Sequence, residues 1–228
     1  MRKKFLVRLA LLLILLLDIY FILGSLLHTD LLPGPDSPFY LYHVTELSKN
    51  GETSQFLFRD RILTILEPLI IAQILGVSPL WGIRIFLVGI SLAMLLGLFL
   101  LARKIGGEVL ALFVVFLTLL SGSFARFFWD LYANAFALTV VPFIIYLLFP
   151  VLKFRQKEFC LAAALTGALF LIHNLTAIGF TFLVLPLFLF TVLLPYFRLK
   201  EWFKFFLYGG IFALIVFIMQ IFFKIFMF

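Results

Sequence analysis

Long apolar runs separated by short polar breaks dominate the chain. They cover residues 5–27, 83–102, 109–125, 132–152, 159–178, 179–197 and 205–228. About 20 apolar residues in a helix cross about 30 Å of hydrocarbon, so each run predicts a span. Residues 159–197 are too long for one span and are interrupted only by His173-Asn174 and nearby small residues. They predict a tight hairpin of two helices. The run 62–76, ILTILEPLIIAQILG, is different. It would be only about 22 Å long, and it carries Glu67-Pro68 at its centre, an acid and a helix breaker.

One long segment breaks the apolar pattern: residues 31–61, LLPGPDSPFYLYHVTELSKNGETSQFLFRDR. Its first half reads as a turn, then an amphipathic helix from about Ser37 to Asn50, with Gly51 as terminator. Tyr40, Val44 and Leu47 fall on one face, with His43 and Glu46 beside it.

Composition turns these runs into a class. The chain is 65% hydrophobic and only 13% charged, with a mean hydropathy of +1.23. Soluble domains carry about 25% charged residues. An aqueous globular fold is excluded, and an integral membrane protein is expected. The net charge of +7 does not point to nucleic acid, because the basic residues stand in short clusters between apolar runs. That is the orientation signal of a multi-pass membrane protein. The amino-terminal run is longer than a signal peptide's apolar region of about 7–15 residues and lacks a clear A-x-A site. It predicts an uncleaved first span. Cys160 is the single cysteine and reads as a small core residue, so neither a disulfide nor a cysteine metal site is expected.

Charge also decides how 62–76 is treated. If that segment lies at the interface, Arg2, Lys3, Lys4, Arg8, Arg103, Lys104, Lys153, Arg155, Lys157, Arg198, Lys200 and Lys204 all fall inside. If it crosses, the later clusters move outside, against the positive-inside rule. The expectation is an all-α, polytopic helix bundle of about seven transmembrane helices. Its amino terminus is inside and its carboxyl terminus outside. The chain forms a single domain over 1–228, and a first outer loop of interfacial amphipathic helices occupies 28–82. Most acids then face outward, while Glu108, Glu158 and Glu201 sit inside beside basic clusters.

The polar residues on the outer side are the candidates for chemistry, and each has a plain structural alternative. Asp36 is either the N-cap of the following helix or a carboxylate that accepts a proton from, or orients, an incoming acceptor. His43 either packs at the interface or faces the same groove. Glu67 either reaches water or closes that groove from the other side. Arg126 and Asp130, spaced i, i+4, form a local salt bridge, or Arg126 presents its planar fork to an anionic head group. Trp129 and Tyr132 fit an aromatic belt. His173 and Asn174 either close a turn or join the groove; Asn174-Leu175-Thr176 matches a glycosylation acceptor, but the bilayer is too near for modification. Asp18, inside the first span, is a functional candidate by position, or a carboxyl group kept neutral or hydrogen-bonded to a neighbouring helix. No internal repeat, phosphate loop, dinucleotide signature or paired-histidine metal spacing is present.

Five stretches together, PDSPFYLYHVTELSKNG, LEPLIIAQILGVSPLWGIR, LFLLARKIGG, FARFFWDLYANAFAL and LFLIHNLTAIGF, resemble the amino-terminal module of the GT-C superfamily of membrane glycosyltransferases. That superfamily includes oligosaccharyltransferase catalytic subunits, protein O-mannosyltransferases and lipid A aminoarabinose transferases. The resemblance spans essentially the whole chain and is carried by topology and short motifs, above all the early Asp in DSPFYLYH. It implies a polyprenyl-phosphate-linked sugar donor attacked at the outer membrane face. Asp36 would be the base or the acceptor-positioning residue, and Arg126 would lie near the donor phosphate. Some members of the superfamily use a divalent metal such as Mg or Mn held by loop acids; others need none. Its members usually carry further spans and often a soluble carboxyl-terminal domain, whereas this chain closes at Phe228 with the seventh predicted span. A core module, or one part of a split enzyme with a second membrane subunit, is therefore expected. A non-catalytic assembly subunit or a transporter component is the rival class, and transport is disfavoured because no half-repeat or paired broken helix is visible.

Overall fold

In the computed structural model the described residues are 2–27, 37–50, 62–121, 132–148 and 156–180. Every regular element among them is helical: α1 (Arg2–Leu27), α2 (Ser37–Asn50), α3 (Ile62–Leu75), α4 (Pro79–Leu120), α5 (Tyr132–Leu148), α6 (Gln156–Ile172) and α7 (Asn174–Gly179). The all-α expectation holds for these residues. The readings made for the runs beyond residue 180 lie outside them.

Among the described residues, two helical stretches, Lys4–Leu27 and Pro79–Leu120, are long and apolar enough to cross a membrane. Burial within the protein does not account for the first. Only 22% of its most apolar window is buried, and Leu9, Leu12, Leu13, Leu16, Leu17 and Phe21 are exposed. A continuous apolar surface of that size is suited to hydrocarbon rather than water.

α4 is not one straight helix. Gly106 (φ −137°, ψ 16°) and Gly107 (φ 83°, ψ −172°) are non-helical and divide it into residues 79–105 and 108–120. The positive φ at Gly107 is a conformation that a side chain disfavours. The break falls where the sequence places a polar turn between its second and third spans. Three contacts show how the first half runs against α5. Phe86 meets Phe136 with centroids 5.1 Å apart, Gly97 faces Phe143, and Lys104 Nζ donates to the Tyr146 carbonyl at 3.0 Å. Both partners advance together, so residues 79–105 and α5 are parallel. Parallel neighbours that follow one another in sequence require a return segment. Residues 108–120 supply about 20 Å of helix for it, and their buried face, Ala111, Val115 and Leu119, joins the same core as Ile14, Leu87 and Leu95.

α3 joins α4 through Gly76 (φ 63°) and the N-cap Ser78, followed by Pro79 in the first turn. Proline here fits, since its missing N–H would have no intrahelical partner. α3 also continues through Pro68, a residue that breaks helices by type. A Cβ on Gly82 would collide with the Pro68 carbonyl oxygen and come within 2.8 Å of Ala72 Cβ. The bare glycine lets α3 and α4 approach closely, as small residues do between membrane helices. Ile62, Thr64, Ile65, Pro68, Leu69 and Ala72 are buried, so α3 is packed into the bundle along one side, while Ile70, Ile74 and Leu75 are exposed.

Candidate functional site

α2 begins at Ser37, where the sequence places it, and its predicted apolar face is the one that packs. Tyr40 and Val44 are fully buried, and Leu47 rests against the same core. Tyr40 lies against Tyr132, the first residue of α5, with centroids 5.3 Å apart and planes tilted by 36°. Each ring is only 1% exposed. The aromatic-belt reading of Tyr132 is thereby corrected: this ring joins two helices inside the protein. Trp129 lies outside the described residues.

Two polar links bring further helix ends to this level. Thr64 Oγ1, near the start of α3, donates to the Ile172 carbonyl at the end of α6, a long contact of 3.4 Å. Thr176 Oγ1 lies 3.2 Å from Asn134 Oδ1, two residues beyond Tyr132. The end of α6 thus meets the start of α5, and these two helices are antiparallel. One end of the bundle therefore gathers Tyr40 of α2, the start of α3, the start of α5, the end of α6 and α7.

His173 stands at the junction of α6 and α7. It is a single extended residue (φ −162°, ψ 106°) between two helices. Its N–H still donates to the Leu169 carbonyl, and its carbonyl accepts from Ala177 N–H. Its side chain caps α7, because Nδ1 accepts from Thr176 N–H at 3.2 Å and lies 2.9 Å from Thr176 Oγ1. An accepting Nδ1 places the ring proton on Nε2 in the neutral form. The predicted interruption at His173-Asn174 is present, with α6 ending at Ile172 and a short helix following. The Thr176 hydroxyl of the glycosylation motif is engaged with His173 and Asn134.

His43 lies on α2 one turn beyond Tyr40, edge-on to Phe39 at 4.7 Å and to Tyr42 at 4.9 Å. Partial burial holds its imidazole below the usual histidine range, opposed by the negative charge of Glu46. Glu67 is half-buried near the middle of α3, and among the described residues no hydrogen bond or ion pair joins it to His43 or His173. Asn174 is the first residue of α7. Asp36, Arg126 and Asp130 lie outside the described residues. In sequence, Asp36 directly precedes α2, and Asp130 stands two residues before α5.

Arg84 was overlooked as a candidate by sequence reasoning. It is 6% exposed, and its guanidinium carbon lies 5.1 Å from the centroid of the Trp81 ring, a cation–π distance. The signal was available: an arginine within WGIRIF, a charge inside an apolar run, is the same anomaly that singles out Asp18. Asn134 and Thr176 carry no such signal, being ordinary polar residues in their segments.

Among the described residues no group of three His, Cys, Asp or Glu side chains is placed to hold a metal ion. Of the first-loop acids, from which the resemblance would draw ligands, Glu46 lies on α2 and Glu67 on α3, while Asp30, Asp36, Glu52 and Asp60 lie outside the described residues. Comparisons of the chain with known protein families, with characterised proteins and with solved structures find no match. The resemblance to the GT-C superfamily therefore rests on the quoted stretches and their order.

Proposed function

We propose that the chain is a multi-pass membrane protein and a core module of the GT-C type. Its seven spans would have the amino terminus inside. The module would transfer a sugar from a polyprenyl-phosphate-linked donor at the outer face. Asp36 would take the proton from the acceptor, or hold the acceptor in line. The acceptor would bond to the anomeric carbon as the bond to the carrier phosphate breaks. His43, Glu67, Arg126, Asp130, His173 and Asn174 would line the donor and acceptor sites.

The supporting observation is the Tyr40–Tyr132 stack. It joins the helix that directly follows Asp36 to the helix that directly follows the Arg126–Asp130 stretch, at the same end as His173. On this reading, a carboxylate and an arginine from separate loops would be brought toward one pair of packed helices. The parallel run of residues 79–105 with α5 also suits spans that alternate in direction.

The test is transfer from a lipid-linked sugar donor in membranes containing the protein. Asp36→Asn is expected to abolish transfer while accumulation and membrane insertion stay as in the wild type. A base lost from the reaction lowers the rate by about 10²–10⁴-fold. Full activity in Asp36→Asn would overturn the assignment.

A further inference from the structure

Asp18 has an environment that the transferase reading does not use. It is 0% exposed on α1, and Ser91 of α4 is likewise 0% exposed. Asp18 Oδ2 and Ser91 Oγ are 2.7 Å apart. Ser91 Oγ also lies 2.9 Å from the Val88 carbonyl oxygen. Asp18 Oδ1 is buried, with no hydrogen-bond partner among the described residues. Ser91 has one hydroxyl hydrogen, and it faces two acceptors.

A proton on the carboxyl group resolves this count. The Asp18 O–H then donates to Ser91 Oγ, and Ser91 donates to the Val88 carbonyl. Oδ1 is left as a neutral carbonyl oxygen rather than half of a buried carboxylate, which is much the less costly state without a partner. Among the described residues, the charged groups on the elements around the pair do not provide a counter-ion. On α1 the nearest is Arg8, about 15 Å back along the helix. On α4 the nearest is Arg84, two turns before Ser91 or about 10 Å along the axis, while Arg103, Lys104 and Glu108 lie toward the far end. α5 contains no Asp, Glu, Lys, Arg or His.

The pair also sits far from either end of its helix. Ser91 is about 18 Å from Pro79 and about 21 Å from residue 105, the mid-depth of residues 79–105. We propose that Asp18 is a proton-binding site at mid-depth between α1 and α4, with the bound proton completing the chain Asp18–Ser91–Val88. Loss of the proton would leave an unpaired carboxylate in the contact through which α1 packs on α4, so the site makes docking of α1 proton-dependent. The inference rests on burial and hydrogen-bond geometry, and it stands whether or not the chain transfers sugar.

Infrared difference spectroscopy of the full chain in lipid, wild type minus Asp18→Asn at neutral pH, tests it. The wild type is expected to show the carbonyl stretch of a protonated carboxylic acid that Asp18→Asn lacks. In Ser91→Ala that band is expected to move to higher frequency, because the acid loses its hydrogen-bond partner. Carboxylate bands in place of the acid band would overturn the proposal. The Ser91→Ala shift needs no change at Asp18 and reads the same bond if Asp18→Asn fails to accumulate; an acid band unmoved by Ser91→Ala would overturn it as well.

Discussion

At the Lys104 end of the bundle the polar contacts are made by charged groups near the surface; at the Tyr132 end the contacts that join the helices are made by neutral and aromatic groups that are largely buried. Lys104 caps α5 by donating to the Tyr146 carbonyl, with its ammonium 4.2 Å from the Tyr146 ring centroid. Arg103 and Glu108 form an ion pair at 3.6 Å across the Gly106–Gly107 break, the arginine side chain being 54% exposed. Such a pair contributes little where water competes. The other end relies on ring packing between Tyr40 and Tyr132, a histidine cap, and the Thr176–Asn134 contact. The difference separates two uses of polarity. On the proposed topology, one end would supply positive charge beside the membrane for orientation, and the exact partner would matter little. The other end holds side chains in fixed mutual positions, as a binding site requires.

If that distinction is right, substitutions at the two ends should differ in size as well as place. Tyr132→Ala removes a fully buried ring on which α2 packs. It is expected to lower stability by about 3–5 kcal/mol, read from thermal unfolding in detergent, and to abolish any activity of the outer site. A loss below 1 kcal/mol would show that α2 is not anchored there. Lys104→Met keeps the stem and removes the charge. It is expected to cost no more than about 1 kcal/mol, with activity intact. An effect as large as that of Tyr132→Ala would erase the contrast.

The smallest effect is a pH slope from His43. Its folded-state proton affinity is lowered by burial, so in acid the unfolded chain binds the proton more readily. Stability from this group is present above the ordinary histidine value of about 6.5 and declines as pH falls through it toward the lower folded value. His43→Gln is expected to remove that slope from a series of melting temperatures. A series in which the wild type gains stability on acidification, and His43→Gln does not, would reverse the sign assigned to burial.

The sequence was most informative where one segment carries its own signals. α2 matches its predicted Ser37–Asn50 limits because the Pro-rich turn, the apolar face and the Asn-Gly end are all local. The break at Gly106–Gly107 falls in the short polar stretch that separates the apolar runs 83–102 and 109–125. What escaped is set by distant partners. Asp18 was conspicuous, but Ser91 is 73 residues away and looks like any serine in an apolar helix. The close approach of α3 to α4 depends on Gly82 facing Pro68 and Ala72, which no local rule connects. Tyr132 was assigned to the membrane interface by residue type, and only the packing of α2 shows it to be buried.

The account stands or falls on the two ends facing opposite sides of a membrane. In a Cys160→Ser background, single cysteines at Tyr42 and Arg103, both exposed in the structure, can be reacted with a membrane-impermeant maleimide. Labelling of Tyr42→Cys in intact cells, with Arg103→Cys labelled only after permeabilisation, is the predicted result. Equal labelling of both positions from the same side would contradict it.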